Sequence, residues 1–287
     1  MLTMNAVVSP AAVSAAPVAT SAAVVTAEVV RTITPSPVVQ PDRLQLQHSL
    51  DAVNALTQTF LDRFVDYFGT RYAVLRVPPH INYGNTGAIA ELYVPGVGDV
   101  VVAAPKGGEA VYLTGGTLAK WKSLGGESSA IGFPLPQQGF LDVVGPFTRF
   151  EHGIIVRTDT GYVAVSAVTT YILFEGLRPR SLGAPTADTD YLPDGGTVDH
   201  FAKGAIYTGP KGSGVGGVLT GGYVAAYERL GGPGGWLGYP VGAPVLGTDG
   251  VTTTVRFQHG QLRWNPTTGF VAVRYDVWDA VRLDLWG

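Results

Sequence analysis

The sequence predicts a mainly β protein with short helices (α+β). Its repeats are expected to close into a small propeller-like ring, preceded by one long helix and a disordered lead. Three observations carry that expectation. Glycine (39) and proline (20) make up about a fifth of the 287 residues, against an average near 12%, so the chain needs many short elements and tight turns. Short apolar runs cut by Gly and Pro fill the chain after Tyr72, which is a strand texture. One pattern also returns three times, at spacings of 51 and 55 residues, and regular return at such a period marks a repeat architecture.

Composition narrows the function classes. Apolar residues are 46% of the chain, enough for a substantial core, while charged residues are only 14%. The net charge is −3 and there is no basic stripe, so nucleic acid is not an expected partner. The absence of cysteine excludes disulfides, thiol catalysis and cysteine-ligated metals, and leaves export open.

Residues 1–42 read as a disordered Ala/Val/Pro-rich lead. From Met1 to Val30 the only charge is Glu28, and no basic residue precedes Arg31, as a signal peptide requires. Pro10, Pro17 and abundant Ala, Ser and Thr argue against a membrane span. An export-signal remnant or a linker from a longer chain is the alternative reading. Residues 43–70 form an amphipathic helix by pattern. Leu46, Leu50, Val53, Leu56, Phe60 and Phe64 recur at spacings of three and four, and Gly69 supplies a stop. Residues 71–97 read as connecting strands, and 98–287 as the repeat domain.

The repeat is anchored by Gly132, Gly183 and Gly238, each followed two residues on by Pro134, Pro185 and Pro240. Phe150, Phe201 and Phe257 come sixteen or seventeen residues after those prolines, and Gly153, Gly204 and Gly260 follow. Each of these glycines opens a short strand that meets a turn: "TDTG", "GPKG" or "NPTTG". The segment around Pro105-Lys106-Gly107 matches that around Pro210-Lys211-Gly212. Leu118, Trp121 and Leu124 in one unit, and Val224, Tyr227 and Leu230 in another, place a short helix face. "LGG" ends both helices as a C-terminal glycine cap does. The final "YDVWDAVRLDLWG" reads as a further helix. One such unit cannot bury both faces of its sheet, so units must stack or close. The strand region "QLRWNPTTGFVAV" needs a partner to avoid a bare edge. "DVVVAAP" is the complementary half-unit, so the two ends of the repeat region are expected to share a blade.

"AIGFP", "SLGAP" and "WLGYP", each with its F-x-x-G strand start and the last with the turn "WNPTTG", resemble the LGFP repeat. The resemblance covers about Gly98 to Gly287. That family occurs in exported proteins of mycolic-acid-containing actinobacteria, beside mycolyltransferases, amidases and other cell-wall enzymes. It implies an extracellular, wall-bound chain that recognises cell-wall polysaccharide of arabinogalactan or peptidoglycan type without catalysis. It implies no cofactor, no membrane span and a catalytic domain in a longer parent chain as a further partner. Two departures bear on any shared pocket. Ala184 replaces the aromatic of the middle copy, and "TDTG" and "GPKG" lack the tryptophan of "WNPTTG".

The residues themselves give little catalytic signal. His152 and His259 occupy one repeat position, and repetition points to structure. No second ligand stands at metal spacing, so no metal site is expected. "GSGVGG" (Gly212–Gly217) satisfies G-x-G-x-x-G, but its sister at Pro105 marks it as a hairpin turn. No nucleophile elbow, H-E-x-x-H or P-loop occurs. Asp142, Glu151, Asp159, Asp188, Asp190, Asp194 and Asp249 are scattered. A wall hydrolase with spatially assembled carboxylates is therefore one alternative, and a structural or protein-binding spacer is another.

Aromatics are the better lead, because sugar rings stack on exposed aromatic faces while polar groups take their hydroxyls. Trp121, Tyr227 and the three strand phenylalanines read as core. Trp236 stands where the sister units have Ala130 and Ser181, and Trp264 where they have Arg157 and Thr208. Positions that depart from the repeat are ones the fold leaves free. Trp236, Tyr239, Arg256, His259 and Trp264 are thus the candidate ligand-binding residues, expected to line one cleft between neighbouring units.

Overall fold

The structure is a computed structural model that describes residues 41–63, 73–141, 145–167, 169, 182–276 and 280–283. The expectation for the lead falls, apart from its last two residues, outside them.

Helix α1 (Pro41–Arg63) realises the long amphipathic segment; the rest of the expected span, 64–70, lies outside the described residues. Leu46, Val53 and Leu61 are buried, and Leu50, Leu56 and Phe60 pack against the same cluster or its edge. Ser49 is fully buried on that face and explains how a polar residue fits there. Its hydroxyl donates to the Pro105 carbonyl at 2.7 Å and accepts the Gly107 N–H at 2.8 Å. The helix is thereby pinned to one hairpin, satisfying groups that burial would otherwise strand. No described helix is long and apolar enough to cross a membrane.

The rest of the chain is a series of antiparallel sheets, each drawn from one continuous stretch. The first holds β1 (Val74–Ile81), β2 (Gly87–Val94), β3 (Gly98–Pro105) and β4 (Val111–Thr114) in that order. Helix α2 (Gly115–Ser123) follows. The second sheet holds β5 (Pro134–Leu141), β6 (Gly145–Phe150), β7 (Gly153–Thr158) and β8 (Gly161–Ser166). The third holds β9 (Asp190–Tyr191), β10 (Thr197–Phe201), β11 (Gly204–Thr208) and β12 (Gly216–Thr220), followed by α3 (Gly222–Arg229). The fourth adds a fifth strand: β13 (Val245–Leu246), β14 (Thr253–Arg256), β15 (Gly260–Asn265), β16 (Gly269–Arg274) and β17 (Ala280–Leu283).

The helices end as the sequence predicts. Leu124 and Leu230 cap them, and Gly125 and Gly231 follow at φ +107° and +95°, a left-handed conformation that a side chain disfavours.

Alternation along the strands tells which face meets what. In β3, Val101 and Ala103 join α2 and the second sheet in one core, with Leu118, Trp121, Phe133, Phe150 and Ile155. Val100, Val102 and Ala104 point the other way, into the cluster under α1. Both faces of this sheet are covered, so β3 reads as a continuous apolar run. Ile154, Val156 and Val165 of the second sheet meet Phe201 and Ile206 of the third. Tyr207 and Leu219 of the third sheet meet α3 and, from the fourth, Phe257, Leu262 and Phe270.

The strand pairing bears on several expectations. Residues 71–97 do more than connect: β2 pairs with β3 along eight residue pairs, so a boundary at 97 would cut a sheet. Among the described residues no closed barrel or propeller ring is found, so the expected ring is unconfirmed. The shared blade is not formed, because β3 pairs with β2 and β4 while β16 pairs with β15 and β17. The edge of β16 is covered locally by Ala280–Leu283, which lies in the segment expected to be helical. The far face of the first sheet, which a ring would set against the fourth, lies under α1.

Candidate functional site

The three glycine-proline turns share one hydrogen-bond scheme. Gly132, Gly183 and Gly238 have φ of +73°, +77° and +67°. In the first turn, the N–H groups of His152 and Glu151 donate to the carbonyls of Ile131 and Phe133. Lys203 and Ala202 do the same to Leu182 and Ala184, and His259 and Gln258 to Leu237 and Tyr239. Each proline bridges its strand phenylalanine: Pro134 with Phe150, Pro185 with Phe201, Pro240 with Phe257. A Cβ on Gly153, Gly204 or Gly260 would stand 2.3, 2.3 or 2.4 Å from a carbonyl oxygen of the next strand. Backbone contact at that range leaves room for hydrogen only, which is the reason for the glycine of F-x-x-G.

Side chains then specialise the turns. Trp121 Nε1 donates to the Gly132 carbonyl at 2.9 Å, and the Tyr227 hydroxyl donates to the Gly238 carbonyl at 2.7 Å. Glu151 accepts the Phe133 N–H at 2.9 Å, and Gln258 accepts the Tyr239 N–H at 2.8 Å. The middle turn has Ala202 at that acceptor position.

The five sequence-predicted residues do not line one cleft. Tyr239 is a buried plug, 3% exposed, with its hydroxyl donating to both carboxylate oxygens of Asp194 at 2.9 Å. Burial first, then the bond to Asp194 and its charge, push its pKa up to about 12. A ring so enclosed cannot stack on a sugar, so the expectation for Tyr239 is corrected. Trp236 is half-buried against Gly260, with the Arg274 guanidinium 5.5 Å from its ring centroid. His259 is exposed beside it in the β14–β15 turn. Trp264, 36% exposed, stands four residues along β15 from Gly260, roughly 13 Å away at strand rise. Arg256 is exposed on the face opposite buried Val255. The five thus occupy separate places, with Trp236 and His259 together.

The carboxylates are mostly turn and strut residues. Asp194 also accepts the Gly196 N–H, and Asp190 faces His200 Nε2 at 3.0 Å. Asp249 caps its own loop, where the Thr252 hydroxyl first, and then backbone N–H groups, hold its pKa below the usual carboxylate range. "GSGVGG" lies in the β11–β12 hairpin, as its sister segment implies.

A cleft of about 300 Å³ opens elsewhere, where the α2-to-β5 connection meets the second and third sheets. Leu124, Ala130, Ile131 and Ala164 form its apolar side. Asp188, Thr189 and Tyr191 form the other, with Ser129 at the edge. Asp188 is held on both oxygens: Lys120 Nζ donates at 2.5 Å and the Ala164 N–H at 2.9 Å. The residue Tyr191 is 53% exposed. Its pKa is raised, by burial first and then by the negative charges of Asp199 and Asp188, so the phenol keeps its proton. Beneath this wall Asp199 is fully buried and accepts hydroxyl donations from Ser166, Thr169 and Thr189. The Thr189 N–H also donates to the Ala164 carbonyl at 2.9 Å. The cleft wall is therefore fixed to the second sheet.

Sequence reasoning did not assemble this cleft. Asp188 stands in it as one of the scattered acids, and Ala130 only as the small counterpart of Trp236. That small residue was the available signal.

Residues 182–235 and 237–282 match the family model described as the LGFP repeat. The first match spans the second turn, the third sheet and α3, and the next spans the third turn and the fourth sheet almost to its end. No curated protein matches the chain.

Proposed function

We propose, from the premise that this chain is an LGFP-repeat protein, that its repeats recognise cell-wall polysaccharide and carry out no catalysis. LGFP repeats are a cell-wall-associated family. The tandem match over two successive units is the observation that carries the reading. Repetition suits a polymer ligand, since several weak contacts along one strand combine through avidity. Half-exposed aromatics such as Trp264 and Tyr191 support it, because they offer rings to the flat C–H face of a sugar. Placement outside the cell, on arabinogalactan or peptidoglycan, follows from the same reading, as does the role of holding a partner catalytic domain at the wall.

A pull-down on insoluble arabinogalactan–peptidoglycan, assayed in parallel for released reducing ends, tests it. Retention with no reducing-end release is the expected result. Release would favour a hydrolase, and absence of retention would favour a spacer.

A further inference from the structure

Two positions in the fold are equivalent and differently filled. Ala130 precedes the first glycine-proline turn and Trp236 precedes the last, 106 residues on. Their surroundings correspond. Leu124 matches Leu230 at the end of the short helix, and Ile131 matches Leu237 in the turn. Gly153 matches Gly260, by the same carbonyl approach from the adjacent strand. Ala164 pairs with Ile155 as Ala272 pairs with Leu262. In the C-terminal unit the Trp236 ring lies against Gly260 and under Arg274. In the N-terminal unit Ala130 offers one methyl group, and the cleft stands open beside it.

We infer that this cleft, between Ala130 and Tyr191, is a subsite for one neutral sugar ring, and that Trp236 closes the corresponding place at the C-terminal end. The inference rests on the polysaccharide reading above and deepens it. The size fits, since small-molecule sites run from about 300 to 1,000 Å³ and this one lies at the lower limit. The chemistry is two-sided, as a sugar requires. Leu124 and Ile131 give an apolar floor, and the exposed Tyr191 ring gives a face for C–H stacking. Asp188 and Thr189 bring oxygens to the opposite wall. Asp188 is paired with Lys120, so its oxygens are available for hydrogen bonding already matched by a cation, and the negative charge of Asp199 beneath the wall disfavours an acidic ring, which leaves an uncharged one. The buried Asp199 network keeps Thr189 and its neighbours in place, so little ordering accompanies binding.

The sister unit supplies the test. Ala130→Trp copies a residue that this fold already accommodates at the equivalent position, and Ala130 is exposed, so the variant has room to fold. Tyr191→Ala removes the stacking face at an exposed site. Each variant of the full chain is titrated onto insoluble arabinogalactan–peptidoglycan beside the wild-type chain. The expected result is that Ala130→Trp and Tyr191→Ala each weaken retention about tenfold, with thermal unfolding unchanged. Wild-type retention by both cleft variants overturns the subsite and leaves the polysaccharide reading standing. No retention by the wild-type chain overturns both.

Discussion

The junction between the first and second sheets and that between the third and fourth use one backbone frame with different side-chain chemistry. At the first, an indole N–H satisfies the turn carbonyl, and Phe133 fills the space over Gly87. At the other, a phenol satisfies the carbonyl, and Tyr239 fills the space over Gly196 while binding Asp194. Tyr207, Tyr223 and Tyr227 extend that phenol network through Glu228, Thr253 and Gly238. What the two junctions share is positional: a donor from the helix, a ring over a glycine, and a glycine against a carbonyl. What differs is how the surface is finished, with Ala130 beside a cleft in one and Trp236 under Arg274 in the other.

The sharpest way to break the comparison is to remove the plug. Phe133 is fully buried, so Phe133→Ala should cost about 3–5 kcal/mol by chemical denaturation. Tyr239→Ala should cost as much, with its hydroxyl's bond to Asp194 lost as well. A loss under 1 kcal/mol at either site would mean that the plugs are not equivalent. Gly153→Ala and Gly260→Ala come next. Each places a Cβ within 2.4 Å of a backbone carbonyl, and overpacking of that kind costs typically 1–3 kcal/mol. The two should agree closely, and a silent result at one would separate the repeats.

Tyr227→Phe removes the phenol donor alone. The Gly238 carbonyl is buried, so about 1–3 kcal/mol of stability should go. The alkaline behaviour of Tyr239 is a finer probe. Its pKa is raised from the usual 10.0 to about 12 by burial and Asp194, so the folded state holds its proton more tightly than the unfolded chain. That contribution is full below pH 10 and is lost as pH rises towards 12. Tyr239→Phe should flatten the fall in melting temperature over that window, and an unchanged slope would contradict the assignment. The smallest effect belongs to Arg274→Ala, which removes an exposed cation from the Trp236 face. A fall in melting temperature smaller than at any of the sites above is expected, and a loss as large as that of Phe133→Ala would contradict it.

The same comparison explains what the sequence could reveal. Gly132, Gly183 and Gly238, and the glycine three residues after each strand phenylalanine, were legible because a positive φ in the first set and a carbonyl against the Cβ position in the second favour glycine. The helix trios were legible because spacing fixes a face, although the buried Tyr223 and Ala226 of α3 lay outside the trio. The final segment was not legible. "VWDAVRLDLW" has apolar residues at helical spacing, but β16 has an edge to pair and Ala280–Leu283 pairs with it, so tertiary demand outweighed local pattern. The ring was expected because bare edges and faces must be covered; contiguous sheets and α1 meet that demand locally. The candidate cleft was hidden for a different reason. It is made by a missing side chain at Ala130, faced by Asp188 and Tyr191 from a distant part of the chain, and sequence spacing does not bring those together.

The central claim is that these repeats take wall polysaccharide. A depletion isotherm of the full chain on insoluble arabinogalactan–peptidoglycan, with cellulose as comparator, tests it most directly. The account predicts saturable depletion on the wall polymer and far weaker depletion on cellulose; equal depletion on both, or none on either, would contradict it.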